Sequence, residues 1–162
     1  MTIRLAQPAD WPRIWPIWHA VVSDGDTYVW PPETSMDDGR ALWMLPSPAE
    51  VWAVDDEADG IVATATLKPN QVGLGDHVAN ASFMVDPSHA GRGVGRRLAE
   101  AVLERARELG YEAMQFNAVV ATNERAVALW RSLGFDVVGT IPNGFRHTTL
   151  GPVDLLIMHR KL

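Results

Sequence analysis

One turn of this chain has the residues to hold an anion. Gly91-Arg92-Gly93-Val94-Gly95-Arg96-Arg97 follows the apolar-alternating stretch His77–Val85. It opens a run in which Leu98, Val102, Ala106 and Leu109 recur at helical spacing. Glycines let backbone approach a ligand closely, and free N–H groups at a helix start point at negative charge. Arg92, Arg96 and Arg97 gather positive charge on the same turn. A phosphate loop would end in Gly-Lys-Ser/Thr, which is missing. A dinucleotide fingerprint would need a third glycine where Arg96 stands, and would follow the first strand of the chain. With no cysteine, disulfides, thiolate zinc sites, iron–sulfur clusters and a cysteine nucleophile are excluded. His19, His77, His89, His147 and His159 show no metal-ligand spacing, so no metal is expected.

The strand before the turn ends in Val85-Asp86-Pro87, and Arg92-Gly93-Val94-Gly95 matches the end of an acyl-CoA pyrophosphate loop. Farther on come Asn123, Ala126, Leu129 and Leu133-Gly134-Phe135. Together these motifs resemble the GNAT superfamily of acetyl-CoA-dependent N-acetyltransferases, from about Thr2 to the C-terminus and most strongly from Met84 to Phe135. The resemblance implies acetyl-CoA as co-substrate. It would be held by Met84, Val85, Gly91, Arg92, Gly93, Val94, Gly95, Arg96, Asn123 and Trp130. Two positions depart from the family pattern. Ala90 stands where Gln or Arg is usual, and Trp130 replaces the tyrosine that many members use to protonate the departing thiolate. An indole N–H is not a usable acid. Another group or water protonates the thiolate, or it leaves as an anion, which a thiol pKa near ~8.5 allows.

In this fold two central parallel strands splay apart to admit the cofactor, here His77–Val85 and Ala113–Val120. Asn80 and Asn117 place an amide on each, a residue type disfavoured in strands. Their context is similar to acetyltransferases that act on proline analogues such as azetidine-2-carboxylate. That likeness implies that Asn80 holds the substrate nitrogen, while Asn117 and the Ala118 N–H hold its carboxylate. The Val85 N–H is the expected oxyanion donor, and His77 or Asp76 the expected base if the amine arrives protonated. Asp24 and Asp26 read as solvated loop carboxylates. Most of the tryptophans crowding the first third read as core, while Tyr28 and Trp30 are candidates to wall the acceptor pocket. The leading function is direct acetyl transfer to a small amine or amino acid. The alternatives are acetylation of a protein N-terminus or lysine, a silent acyl-CoA-binding domain and, on the glycine loop alone, NAD(P) binding.

The elements that must position these residues follow from period and punctuation. Thr2–Leu5 reads as a strand, Asp10 as the cap of a helix that Pro16 kinks or shortens, and Ser35 as the start of a second helix ending before Pro46. Val51–Val54 and Ile61–Leu67 form a hairpin, followed by the strand His77–Val85, the glycine-loop helix to Gly110, and the strand Ala113–Val120. Asn123 caps a last helix that ends at Gly134. Phe135–Ile141 and Val153–Met158 are strands joined by a loop containing Pro142, Gly144 and Pro152. This order implies a mixed sheet with helices packed on it, and the resemblance implies the fold class α+β (mixed α/β): a central mixed, mostly antiparallel sheet with splayed parallel strands and about four helices. The 162 residues suit a single domain, 1–162. The net charge of -6 argues against nucleic acid as a partner. The sequence shows no signal peptide and no membrane span, so a cytoplasmic location is expected, and a homodimer is the family habit.

Overall fold

The computed structural model describes residues 1–162. The chain runs β1 (Thr2–Leu5), α1 (Trp11–Ser23), α2 (Met36–Trp43), β2 (Glu50–Asp56), β3 (Gly60–Pro69) and β4 (Val78–Val85). It continues with α3 (Val94–Glu108), β5 (Ala113–Val120), α4 (Glu124–Ser132), β6 (Asp136–His147) and β7 (Gly151–Lys161). The seven strands lie in the order β1-β2-β3-β4-β5-β7-β6. Every neighbouring pair is antiparallel except β4 and β5. No helix is long and apolar enough to cross a membrane.

Helices cover both faces. On one, Leu98, Val102 and Ala106 of α3 and Trp130 of α4 pack with Ala63, Ala65, Ala79 and Met114 of the sheet. On the other, Trp11, Ile14, Trp18 and Val22 of α1 pack with Trp43 of α2 and with Ala53, Ile61 and Met84. β3 is therefore buried on both faces, and Ile61–Leu67 is buried at every position, including Thr64 and Thr66, with no charged residue in the run. Burying a side chain such as Leu98 completely contributes about 1.5–3 kcal/mol.

The two parallel strands pair only at Val78↔Ala113 and Ala79↔Met114, then diverge. The cause lies on the far side of β5. Phe116 pairs with Met158 and Val119 with Leu156, so Asn117 and Ala118 together oppose Ile157. Such a bulge bends the strand that carries it. It opens a gap between β4 and β5 while β4 stays paired with β3 along its whole length, from Ala79↔Pro69 to Val85↔Ala63.

Local punctuation acts mostly as the sequence implies, with three corrections. Asp10 precedes α1, but its carboxylate does not cap that helix; it accepts from Arg4 and from the Gln7 N–H instead. Pro16 does not shorten α1, which spans Trp11–Ser23. Pro16 is exposed, so the carbonyl that loses its partner can be hydrated. The expected loop from Pro142 to Pro152 is largely strand. β6 reaches His147 and β7 starts at Gly151, with the pairing shifted between Val137 and Gly139 and again between Ile141 and Phe145. β6 is the sheet edge, where proline is tolerated, and Asn143 takes φ 52 at the irregularity while its N–H donates to Asp154 at 2.9 Å.

Candidate active site

The glycine turn folds as an anion cradle. Gly91 and Gly93 have φ +79° and +78°, a left-handed conformation that disfavours side chains, and nothing lies within 4 Å of a Cβ placed on Gly93. Gly93 precedes α3, and the N–H groups of Gly91, Gly93, Val94, Gly95 and Arg96 have no protein partner. A Cβ on Gly95 would sit 3.4 Å from Val85, so the glycine lets α3 pack directly on the end of β4. These residues line a cavity of about 560 Å³ with Val85, Arg96, Asn123, Arg125 and Ala126. The arginines share the work unequally. Arg96 lines the cavity but is also drawn to Ser132 (2.6 Å) and Glu100 (3.6 Å), while Arg92 and Arg97 do not line it.

Arg125 joins this cavity and was missed by sequence reasoning. It lies in the first turn of α4, its Nη2 3.4 Å from a Cβ placed on Gly91, and it has no carboxylate partner. A cation at a helix N-terminus opposes the helix dipole, and that misfit was the available signal. Asp24 and Asp26 also line the cavity, and Asp26 accepts from the Thr27 hydroxyl at 2.7 Å. The loop itself is braced from below. Buried His89 reaches Asp59 of the β2–β3 turn (3.0 Å) and the Ser88 hydroxyl (2.9 Å), and Ser88 donates to Asp86 (2.7 Å). Desolvation opposes ionisation of Asp86, but hydrogen bonds from the Ser88 hydroxyl and N–H hold its carboxyl below the ordinary value.

A second cavity, about 250 Å³, fills the gap between the splayed strands. It shares Thr27, Asn123 and Ala126 with the first, so the two adjoin. Its lining includes Asn80 and Phe83 of β4, Phe116, Asn117 and Ala118 of β5, Trp130 of α4, and Tyr28 and Trp30 from the α1–α2 connection. Asn123, which caps α4 by accepting from the Ala126 N–H, sits at the junction. Trp130 packs on Phe116 with centroids 4.7 Å apart. Tyr28 and Trp30 stack 5.0 Å apart, and Trp30 stacks on Trp18 at 5.4 Å, so the α1 aromatic core extends into the cavity wall.

The Tyr28 hydroxyl donates to the Phe83 carbonyl (2.8 Å) and accepts from the Phe83 N–H (3.0 Å). It thereby occupies the free edge of β4 where β5 has peeled away. Burial pushes the Tyr28 phenol above its ordinary value, against the opposing hydrogen bonds from Phe83 and Ser82. One wall is latched: Thr148, in the β6–β7 turn, donates its N–H to Gly25 (3.3 Å) and its hydroxyl to the Asp24 carbonyl (3.1 Å).

Of the acceptor-site residues singled out in the sequence, Asn80, Asn117, Ala118, Tyr28 and Trp30 come together in this one cavity. His77 and Asp76 do not. Both are exposed at the start of β4, where the parallel strands still pair, and neither lines either cavity. Val85 lies at the glycine-loop end rather than in the acceptor cavity, and Met84 turns its side chain into the α1 core.

Seven strands with one parallel pair, splayed above a glycine-rich helix start, define an acyl-CoA-dependent transferase fold. The profile of the acetyltransferase (GNAT) family matches residues 14–135, and the chain belongs to that family. It is an acetyl-CoA-dependent N-acetyltransferase. A GCN5-related N-acetyltransferase from Kribbella flavida superposes with a TM-score of 0.94 at 46% identity, covering 99% of this chain and 97% of that one. The N-acetyltransferase aca1 of Schizosaccharomyces pombe is 37% identical over 101 residues, 62% of this chain. The chain matches about half the length of that protein, 48%. An L-methionine sulfoximine/L-methionine sulfone acetyltransferase of Salmonella typhimurium is 30% identical over 156 residues, covering 88% of this chain and 84% of that protein.

Proposed function

We propose that the acceptor is a small amine carrying a carboxylate, an amino acid or close analogue, acetylated by direct transfer while both substrates are bound. The observation that carries this reading is the pair Asn80 and Asn117, which line one cavity of about 250 Å³. Asn80 Oδ1 has no protein donor, so it is available to an amine N–H, and the Asn117 amide with the Ala118 N–H offers donors to a carboxylate. The latch of Thr148 ties the β6–β7 turn to the connection that carries Tyr28 and Trp30, which suits a small acceptor better than an extended peptide. The Salmonella relative, named for amino-acid sulfoximine and sulfone acetylation, supports the same class.

The cradle fits the co-substrate. Partnerless N–H groups at the α3 start, with Arg96 and Arg125, suit a pyrophosphate, and they offset the repulsion from Asp24 and Asp26. The bound thioester supplies an activated acetyl group whose carbonyl oxygen gains negative charge as the amine attacks. In this proposal the donor to that oxygen is the Phe83 N–H rather than that of Val85. Phe83 lines the acceptor cavity, and its N–H already holds an oxygen, the Tyr28 hydroxyl, at 3.0 Å. Tyr28 and Trp30 exclude water from one side. Trp130 offers no acid, so the thiolate leaves as an anion or is protonated by solvent. With His77 outside the cavity, the amine enters neutral or loses its proton to water.

The test is release of free thiol from acetyl-CoA across free amino acids, amines without a carboxylate, and short peptides with a free N-terminus. Free amino acids, including proline analogues, are expected to give the highest kcat/KM. Turnover confined to peptides, or to amines without a carboxylate, would overturn the reading.

A further inference from the structure

We propose that Asn70 and the Gln115 side chain are positioning residues that clamp Asn117 and so set the preference for carboxylate-bearing acceptors. The inference rests on the amino-acid reading above and explains how the site enforces it. Asn80, Gln115, Asn117 and Asn70 are linked in a chain at the closed end of the splay, just past the last parallel pair Ala79↔Met114. Asn80 Nδ2 donates to the Gln115 main-chain carbonyl at 2.9 Å, and Gln115 Nε2 donates to Asn117 Oδ1 at 2.9 Å. Asn117 Nδ2 donates to Asn70 Oδ1 at 2.7 Å.

The first link fixes a polarity. A main-chain carbonyl only accepts, so Asn80 must present its nitrogen to Gln115, and its oxygen is left for a donor. That oxygen suits an amine and repels a carboxylate. The other links hold Asn117, which is exposed on the β5 bulge and would otherwise be free to rotate. Held between Gln115 and Asn70, it retains one unused N–H whichever way the side-chain amides are turned, because an NH2 group has two hydrogens. The structure thus gives Asn117 a fixed role as donor, suited to a carboxylate.

Asn70 can serve as the far anchor because its backbone is rigid. It follows the last β3–β4 pair, Pro69↔Ala79, and its N–H donates to the Val78 carbonyl at 2.7 Å. Neither Asn70 nor Gln115 lines the acceptor cavity, so both act on the acceptor through Asn117.

The experiment compares an amino acid with its decarboxylated amine, by kcat/KM, in the wild type, Asn70→Ala and Gln115→Leu. In the wild type the amino acid is expected to be favoured. In each variant that preference falls about tenfold, through a higher KM for the amino acid. The KM for acetyl-CoA and the turnover of the decarboxylated amine stay within about twofold, which general structural damage would not allow. If the wild type prefers the amino acid and both variants keep that preference, the clamp is refuted while the amino-acid reading stands. If the wild type shows no preference, the reading falls and the clamp with it. Should Asn70→Ala fail to fold, Gln115→Leu, which leaves the main-chain bond to Asn80 intact, decides alone.

Discussion

Replacing Tyr28 with Phe removes one oxygen and should move stability and acetyl-CoA affinity in opposite directions. The hydroxyl makes two hydrogen bonds to Phe83, at 2.8 and 3.0 Å, on a strand edge with no neighbour. Each bond is worth about 0.5–1 kcal/mol net where water can take its place. The cavity admits water, so the exposed N–H and carbonyl are rehydrated rather than orphaned. The free protein should therefore lose about 1–2 kcal/mol, lowering Tm by roughly 2–8 °C for a chain of this size. A thioester oxygen that takes the Phe83 N–H must first displace the hydroxyl in the wild type but not in the variant. Acetyl-CoA should then bind the variant more tightly, by about five- to thirtyfold at most. Thermal melts with and without acetyl-CoA, together with titration calorimetry, read both effects. The Tm rise on saturation should be larger in Tyr28→Phe than in the wild type. A variant that is as stable as the wild type, or that binds acetyl-CoA more weakly, would refute the reasoning.

Other consequences can be checked with single substitutions. Arg125→Ala should raise the KM for acetyl-CoA about three- to tenfold, with little change in the KM for the amine, because the exposed Arg125 lines the glycine-loop cavity and a polar pocket beside it but not the acceptor cavity. Trp130→Tyr should cost about 1–2 kcal/mol of stability by thinning the packing against Phe83 and Phe116. Its kcat should change by less than about threefold, since a thiolate that leaves as an anion needs no acid; a gain of tenfold or more would show that protonation limits the wild type. The hydrogen bond from Arg4, with the Gln7 N–H, holds the Asp10 carboxyl below its ordinary value of 3.8 despite desolvation. A depressed carboxyl stabilises the fold above its unfolded value, and that contribution is lost as pH falls toward the folded one. Urea melts of the wild type and Arg4→Met should differ most above about pH 5 and converge in acid.

The glycine loop was legible in the sequence because its requirement is local: Gly91 and Gly93 need positive φ, and α3 starts where the periodicity changes. The Asn123 cap was legible for the same reason. The elements of the sheet followed from alternation, but the splay did not follow from any single segment. It depends on the Asn117–Ala118 bulge, which exists only in register with β7. His77 looked close to the chemistry because it adjoins β4, yet it lies at the paired end of the strand while the gap opens toward the other. Tyr28 was named as a wall residue, but its bond to Phe83 joins segments 55 residues apart and no pattern announces it. Pro142 and Gly144 read as a loop because an edge strand that tolerates them looks the same in sequence. The contact of Asn70 with Asn117 appears only once β3, β4 and β5 are side by side.

The most direct test of the account is the ratio of kcat/KM for a free amino acid to that for the amine lacking its carboxylate, measured with acetyl-CoA by thiol release. A cavity lined by both Asn80 and Asn117 predicts a ratio of about ten or more in favour of the amino acid, the worth of one charge-assisted hydrogen-bonded group. A ratio near one, or a preference for the amine, would contradict it.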